Sequence, residues 1–333
     1  MIGRSRVPGL LLAVLLVASA CQAPRAGSTA SATGAPTFEG RSLNVVTGGT
    51  GGVYIVYGGG LSDVLSKKLK VAASAQSTPA SVDNMKLIRD GKADLAFTLS
   101  DTAYDAVNGK GRFAPPEAKV DAKALAVLYT NFMHVVAKDG AGINSMADLR
   151  GKRVSMGAAG SGTETKGNRV LEAYGMSADT DIKRERLGVQ DSADALRDGK
   201  IDAFFWDGGL PTGAVTDLAN TVKLRFLDQA DGVKKMADKY GPFYFAAKIP
   251  KDTYKNDADI TVAGVANLLV VPSNFDPKLA AAILQTMFDS QADLVAIHPE
   301  AKNLKLETAV EGSPIDYHQG AIDYYKSKGA WKK

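Results

Sequence analysis

The chain has 333 residues, of which 45% are hydrophobic, and a formal net charge of +4. This length is ample for a large core and predicts two domains. The Lys and Arg residues are scattered, without arginine-rich blocks or interleaved aromatic residues. This distribution argues against a nucleic-acid partner.

The first 20 residues have the pattern of a secretory signal peptide. Arg4 and Arg6 precede a short apolar run, and small residues follow it up to Ala20. The run is too short to span a membrane, which takes about 20 apolar residues. The single cysteine, Cys21, comes next, and we expect it to be lipidated, because a lone exposed thiol is a liability in an oxidising compartment. A cleaved signal followed by an incidental cysteine is the alternative.

Residues 21–40 are rich in Ala, Ser, Thr, Gly and Pro and carry little charge. This composition is typical of a flexible tether. Together with the signal, it predicts an exported protein held at the periplasmic face of a membrane as a lipoprotein.

Two stretches, Asn84–Val107 and Ser192–Val215, resemble each other. Each predicts an amphipathic helix that stops at the sequence RDGK, then a short apolar strand and a further helical run. Each stretch also follows a strand, a glycine turn and a helix. The predicted parts of the first unit are strand LNVVT, turn 48–54, helix 61–69 and strand 93–99; those of the second are strand 153–156, turn 157–162, a helix up to Tyr174 and strand 201–206. Two such units predict two related α/β lobes.

Long apolar strands at 124–138 and 260–272 flank the second unit. They predict that one lobe is inserted into the other, with lobe 1 formed by residues 41–130 and 263–333 and lobe 2 by residues 131–262. Two chain crossings between lobes act as a hinge, which predicts closure around a ligand.

Four predicted strand ends can face one another across the cleft between the lobes. Ligands bind beyond the carboxyl ends of strands in open α/β sheets. The four segments are Thr47–Tyr54, Ser100–Asp101, Gly157–Thr163 and Trp206–Gly209.

The segment Gly160–Thr163 opens a predicted helix, and Ser161 or Thr163 can cap it. The N–H groups at such a helix start attract a carboxylate or phosphate. In the first unit, the Gly48–Tyr54 turn has the same place, with Thr50 as a hydroxyl donor. Tyr54 and Trp206 adjoin these turns and could enclose the apolar part of a ligand. An ordinary capped helix and aromatic residues buried in the core are the alternatives.

The sequence motifs of common enzymes are absent. The three histidines, His134, His298 and His318, are far apart and have no metal-ligand spacing. The glycine turns lack the fingerprint of a dinucleotide site and the lysine of a phosphate loop, and Ser161 lacks the first glycine of a nucleophile elbow. We therefore expect no catalytic residues, no metal, no cofactor and no enzymatic activity.

Five stretches, in chain order, resemble the TAXI family of solute receptors of tripartite ATP-independent periplasmic (TRAP) transporters. They are TGGTGGVYIVYGGGLSDVL, SVDNMKLIRDGKADLAFTLSDTAYDA, GAAGSGTE, DALRDGKIDAFFWDGGLPTGAVTDLA and SPIDYHQGAIDYYKSKG. The resemblance implies a type II periplasmic-binding-protein fold, in which two α/β lobes joined by a two-strand hinge enclose a ligand cleft. It also implies capture of a small organic acid, glutamate-like or another C4–C5 carboxylate, by hinge closure, and its delivery to TRAP membrane permease subunits.

Carried onto this chain, the resemblance implies a ligand shell of Gly49, Thr50, Tyr54, Ser100, Ser161, Thr163 and Trp206. Asp207 and Gly208 depart from the small apolar residues usual at their positions, which bears on ligand choice. We expect a monomer. A sensor or adaptor of the same fold, presenting its ligand to a membrane signalling protein, is the alternative function.

Overall fold

Two copies of one strand–helix unit form most of the computed structural model, which describes residues 37–332. The first unit contains β1 (Ser42–Val46), α1 (Val53–Leu69), β2 (Ala72–Gln76), α2 (Ser81–Arg89), β3 (Leu95–Leu99) and α3 (Ser100–Asn108). The long strand β4 (Ala122–Lys138) leads out of it. The second unit contains β5 (Arg153–Ser155), α4 (Gly162–Ala173), β6 (Lys183–Glu185), α5 (Val189–Arg197), β7 (Ala203–Gly208) and α6 (Gly213–Thr221).

The remaining elements return the chain to the first unit. They are β8 (Leu224–Phe226), α7 (Ala230–Tyr240), β9 (Phe245–Ile249), β10 (Ile260–Pro272), α8 (Pro277–Asp289), α9 (Gln291–Ile297) and α10 (Gln319–Ser327). The predicted units and both long strands are thus present, β10 at its predicted bounds and β4 two residues longer at its start.

Within residues 37–332, the strands form one continuous sheet in the order β2-β1-β3-β10-β4-β7-β5-β6. The parallel set β2-β1-β3 on one side mirrors the parallel set β6-β5-β7 on the other. The antiparallel pair β4 and β10 lies between them, and β8 and β9 extend the pairing of these two strands. The predicted α/β class is therefore confirmed.

The repeat extends to individual hydrogen bonds. In the first unit, Asp94 Oδ2 accepts from the Asn44 N–H at 2.7 Å; in the second, Asp202 Oδ2 accepts from the Arg153 N–H at 2.8 Å. Each aspartate therefore turns the chain before its strand. This explains why β3 and β7 begin two residues after the predicted starts at 93 and 201.

Buried apolar residues form three clusters. The first core combines residues up to Tyr129 with residues from Ala266 onward, and so joins the two ends of the described chain. The second core and the third core draw on residues 133–265, with Leu99 added to the second. The cores follow the predicted lobe division, but the described residues form one compact unit by their contacts, and the lobe boundaries stay a prediction.

The start of α1 was predicted wrongly. The helix begins at Val53 rather than near Leu61, and Gly58, Gly59 and Gly60 lie inside it. A Cβ atom at Gly58 would lie 2.4 Å from Thr47 Cγ2, so glycine lets the helix pack directly against the end of β1. The glycines that suggested a long loop instead serve close helix–strand contact.

The predicted signal peptide, the lipidation site Cys21 and the tether up to Pro36 lie outside the described residues. Among residues 37–332, no helix has the length and apolar character needed to cross a bilayer.

A buried histidine ties β4 to the segment after β7. The His134 ring Nδ1 lies 2.7 Å from the Phe132 carbonyl oxygen, and Nε2 lies 3.1 Å from the Tyr254 hydroxyl. The Thr212 N–H donates to that same hydroxyl at 2.8 Å. In this chain of bonds the neutral ring donates from Nδ1 and accepts at Nε2. Burial lowers the pKa of His134 from 6.5 to about 4.

We expect His134 to make the free energy of unfolding fall on acidification. Its folded-state pKa is depressed, so its contribution is complete above pH 6.5, decreases as the unfolded state takes up a proton, and is lost below about pH 4. The loss amounts to about 3 kcal/mol. Urea unfolding of the wild type and of His134→Gln between pH 7 and 4 measures this loss. If the free energy of unfolding depends on pH in the same way for both proteins, the assignment is wrong.

Candidate ligand-binding site

A cavity of about 70 Å³ lies where the carboxyl ends of β1, β3, β5 and β7 converge. This is the place where open α/β sheets bind ligands. Its walls come from both units. The lining residues are Gly48, Gly49, Gly52, Val53, Tyr54, Thr78, Pro79, Ala80, Ser81, Leu99, Gly157, Ala158, Ser161, Gly162, Thr163, Gly188, Val189, Trp206, Asp207 and Gly208.

Four helices begin at this cavity. Lining residues include the first residues of α1, α2, α4 and α5, namely Val53, Ser81, Gly162 and Val189. The first N–H groups of a helix have no partner within it, and its start carries about half a positive charge. Four such starts therefore create a positive potential in a cavity whose walls contain no Lys or Arg side chain among the described residues.

The start of α4 leaves backbone donors available. The Gly160 N–H donates to Glu164 Oε2 at 3.3 Å, and the Ser161 N–H donates to the Ala158 carbonyl at 3.0 Å. In the part of the chain that the structure describes, the N–H groups of Gly162 and Thr163 have no acceptor. These two groups can therefore bind an anion.

Three lining hydroxyls each accept a hydrogen bond from a backbone N–H group. Ser161 caps α4 by accepting from the Glu164 N–H at 3.0 Å. Thr163 Oγ1 accepts from the Asp207 N–H at 3.2 Å, and Ser81 Oγ accepts from the Leu99 N–H at 3.2 Å. Ser161 and Thr163 use their oxygens within the protein and keep their protons to donate, whereas Ser81 also lies within hydrogen-bond reach of the Tyr54 hydroxyl.

The backbone conformation at the start of α2 is unusual. Ala80, which caps the helix, has φ of 99° and ψ of −141°, a conformation that L-residues rarely adopt. Such conformations concentrate at functional sites because the surrounding structure holds them there. Here the strain places Ser81 at the cavity wall.

Direct contacts between the units close the cavity. The Asp83 N–H donates to the Gly160 carbonyl at 3.1 Å, and the Ala214 N–H donates to the Gly51 carbonyl at 3.2 Å. Each bond joins the first unit to the second, so the structure shows a closed arrangement.

A buried ionic cluster adds a third connection. Arg169 on α4 is paired with Asp105 on α3 and lies 3.8 Å from an oxygen of Asp101. The Tyr244 hydroxyl donates to Asp101 and accepts from Arg169 at 2.9 Å. Burial raises the pKa of Asp105, and the Arg169 guanidinium opposes that rise. Asp101 therefore contacts protein groups and does not line the cavity.

The structure brings together five of the eight predicted ligand-binding residues. They are Gly49, Tyr54, Ser161, Thr163 and Trp206. Thr50 is exposed beside the cavity, Gly160 binds Asp83 and Glu164 through its backbone, and Ser100 is buried with no partner for its Oγ among the described residues. That these eight residues contact a ligand stays a prediction.

Tyr54 and Trp206 both line the cavity, one from each unit. The Tyr54 hydroxyl accepts from Asn267 Nδ2 at 2.6 Å, and burial raises the pKa of the phenol. The Trp206 Nε1–H donates to Thr212 Oγ1 at 2.9 Å, which fixes the indole close to the start of α1, where a Cβ atom at Gly52 would lie 3.0 Å from it. Because their polar atoms are bonded to the protein, the rings present apolar surface to the cavity.

Sequence reasoning missed a buried ion pair at the cavity. Lys166 Nζ on α4 lies 3.0 Å from Asp207 Oδ1, and both side chains are 0% exposed. Burial raises the pKa of Asp207 to about 6, and the Lys166 ammonium opposes that rise. The departure of Asp207 from the family's usual small apolar residue was the one sign of this pair in the sequence. Its partner Lys166 lies 41 residues away and shows no such departure.

No group of three or more His, Cys, Asp or Glu side chains within residues 37–332 is placed to hold a metal ion. The polar groups at the cavity are donors at helix starts, hydroxyls and one carboxylate. This arrangement is suited to binding a small molecule.

Three solved structures are similar to this chain over most of its length. The chain resembles a protein from Bordetella bronchiseptica RB50, with 17% identity, coverage of 86% of this chain and 81% of that one, and a TM-score of 0.50. It also resembles the periplasmic aliphatic sulphonate binding protein SsuA from Escherichia coli, with 14% identity, coverage of 86% and 83%, and a TM-score of 0.46. The alkanesulfonate-binding protein SsuA from Xanthomonas axonopodis pv. citri, bound to MOPS, matches at 14% identity, 87% and 91% coverage, and a TM-score of 0.49.

The mixed α/β sheet with its two mirrored parallel units is that of a periplasmic-binding-protein fold. The chain belongs to the NMT1-like family, whose sequence profile matches residues 45–329.

We expect a side chain at Gly51 to hold the cavity open. A Cβ atom there would lie 2.9 Å from Ala214 Cβ, across the contact that joins the units. Gly175→Ala is a matched control, because Gly175 also has a positive φ, 68° against 77°, but has no atom within 4 Å of an added Cβ. Both variants should lose about 1–2 kcal/mol of stability through backbone strain.

Only Gly51→Ala should increase the radius of gyration, measured by small-angle X-ray scattering. If both variants scatter like the wild type, the Gly51–Ala214 contact does not control closure.

Proposed function

We propose that this protein is an extracytoplasmic receptor for a small organic carboxylate. The observation that carries the proposal is the convergence of four helix starts on one closed cavity. Backbone N–H groups and dipoles at helix starts are a common means of binding anions.

The hydroxyls decide which anion chemistry fits. Ser161 and Thr163 can each donate one hydroxyl proton into the cavity, and the N–H groups of Gly162 and Thr163 add two more donors. A carboxylate, with two acceptor oxygens, can be satisfied by such a set. Tyr54 and Trp206 would enclose the carbon skeleton of the ligand.

Binding would be coupled to closure. The contacts of Gly51 and Gly160 with the opposite unit hold the cavity shut in this structure. A ligand that touches both units binds the closed form better, and it therefore shifts the equilibrium by that difference in affinity. The long strands β4 and β10 would serve as the hinge, with the lobes divided near residues 130 and 262.

The partner would be a membrane permease of the TRAP type. The ordered motifs of the TAXI family support this choice, as does the predicted export signal. The cargo would be glutamate-like or another C4–C5 carboxylate. The receptor would be anchored through Cys21, so that the tether sets the radius over which it captures ligand.

A screen of small acids, followed by a double variant, tests the receptor function. Protein starting near Ser28 is unfolded and refolded to remove captured ligand, then scanned by thermal shift against amino acids, 2-oxo and 2-hydroxy acids, dicarboxylates, sugars and phosphate esters. A ligand at 100 times its dissociation constant adds about 2.7 kcal/mol of stability. We expect shifts with carboxylates alone, and a flat response from folded protein would contradict the function.

For the carboxylate that binds, Ser161→Ala with Thr163→Ala should weaken affinity about tenfold to a hundredfold, because two donors to a charged group are lost. Calorimetric titration measures this loss. Ser145→Ala is the control, because Ser145 caps a short helix away from the cavity. Loss of the Ser161 cap costs about 1 kcal/mol of stability, so the double variant should still fold. Unchanged affinity would exclude the start of α4 from the site.

We expect Cys21→Ser to release the protein from the membrane. Several acyl chains on Cys21 would give stable anchoring, and a serine cannot be acylated in their place. Fractionation of cells that express either form, with immunoblotting, measures the change. The same membrane fraction for both forms would show that the cysteine is incidental.

A further inference from the structure

The buried pair of Lys166 and Asp207 has one unsatisfied oxygen. Lys166 Nζ binds Asp207 Oδ1 at 3.0 Å and the Ala263 carbonyl at 2.9 Å. Asp207 Oδ2 is buried and has no hydrogen-bond partner among the described residues, although Asp207 lines the cavity. A buried polar atom without a partner is costly, and native proteins contain few of them. A carboxylate oxygen accepts only, so the group that completes it must be a donor.

Further unpaired polar atoms belong to two asparagines beside the Tyr54 hydroxyl. Asn267 binds the Tyr54 hydroxyl through Nδ2, while its Oδ1 has no partner in the described part of the chain. The Asn131 side chain also lies beside that hydroxyl, and neither its Nδ2 nor its Oδ1 has a partner there. Both residues belong to the central strands β4 and β10. The cavity thus adjoins a buried polar region that contains both unpaired acceptors and an unpaired donor, so the case for a ligand donor rests on Asp207 Oδ2.

The acceptor and the donors are adjacent. Thr163 at the start of α4 accepts the Asp207 N–H at 3.2 Å, so the two residues are in contact. Gly162, Thr163 and Asp207 line the same cavity, so a ligand carboxylate bound at the start of α4 would lie close to the Asp207 side chain. A plain carboxylate there would be repelled by Asp207 and would leave Oδ2 unpaired. An ammonium group on the next carbon would reverse the repulsion and supply the missing donor.

We propose that Asp207 selects 2-amino acids, by accepting the ligand ammonium group at Oδ2 while the start of α4 binds the ligand carboxylate. This inference rests on the proposed receptor function and narrows its substrate class. Lys166 is a positioning residue, because it holds Oδ1 and leaves Oδ2 for the ligand.

The test compares ligands that differ only in the ammonium group. L-Alanine is paired with propanoate, L-valine with 3-methylbutanoate and L-glutamate with glutarate, and the remaining common amino acids are treated in the same way. Calorimetric titrations use the full mature chain as wild type, as Asp207→Asn and as the double variant Lys166→Gln with Asp207→Asn. In Asp207→Asn, Lys166 is left as an unpaired buried charge, which could unfold the protein. The double variant removes both charges and so avoids this problem.

We expect the wild type to bind at least one amino acid about 100-fold tighter than its deaminated partner. Loss of the charged acceptor should reduce that ratio about tenfold or more. Affinity for the amino acid should fall, while affinity for the deaminated acid should stay the same or rise, because the repulsion by Asp207 is gone. A merely structural role for Asp207 would weaken both members of a pair equally. Equal losses, or a preference that survives in both variants, would overturn the inference.

Two further outcomes separate this inference from the receptor function. If the wild type binds carboxylates without regard to the ammonium group, the selection by Asp207 is wrong and the receptor function stands. If folded wild type binds neither member of any pair and no other carboxylate, the receptor function fails and this inference fails with it.

Discussion

The antiparallel pairing of β4 with β10 is the constraint on which the rest of the structure depends. These two strands are the middle of the sheet, with β3 paired to one and β7 to the other. Because the parallel sets on either side mirror each other, the carboxyl ends of β1, β3, β5 and β7 are directed towards the same space. The cavity is a consequence of this symmetry, whatever side chains happen to line it.

The electrostatics of the cavity follow from the same arrangement. In a parallel α/β unit the helix that follows a strand begins at the carboxyl end of that strand, so the positive ends of the helices gather where the strands end. Duplication of the unit doubles their number. Among the lining residues, Asp207 is the one carboxylate, and it is partly neutralised by Lys166. The cavity therefore has a broad positive field with one localised negative point.

Local sequence pattern was sufficient to predict the two repeated units and both long strands. Asp94 and Asp202 lie at equivalent positions of the units, and the long strands are continuous apolar runs. The start of α1 was not predictable from local pattern, because the reason for glycine at position 58 is close packing against Thr47, which local sequence does not show. For the site, glycine turns and capping residues indicated Ser161, Thr163 and Trp206. Ser81 and Lys166 were missed because their roles arise from distant partners, Leu99 and Asp207, and Ser100 was chosen by strand position although its side chain is buried elsewhere.

The cluster of Arg169, Asp101, Asp105 and Tyr244 joins the helices of the two units through ions instead of apolar side chains. Removing such charges from water costs nearly as much as their attraction returns, so the contact contributes little net free energy. It does demand an accurate geometry, because a guanidinium shifted by one ångström loses its bonds. The cluster consequently fixes the relative position of the two units without stabilising their contact much. The free energy that favours closure would then come from the ligand in the cavity.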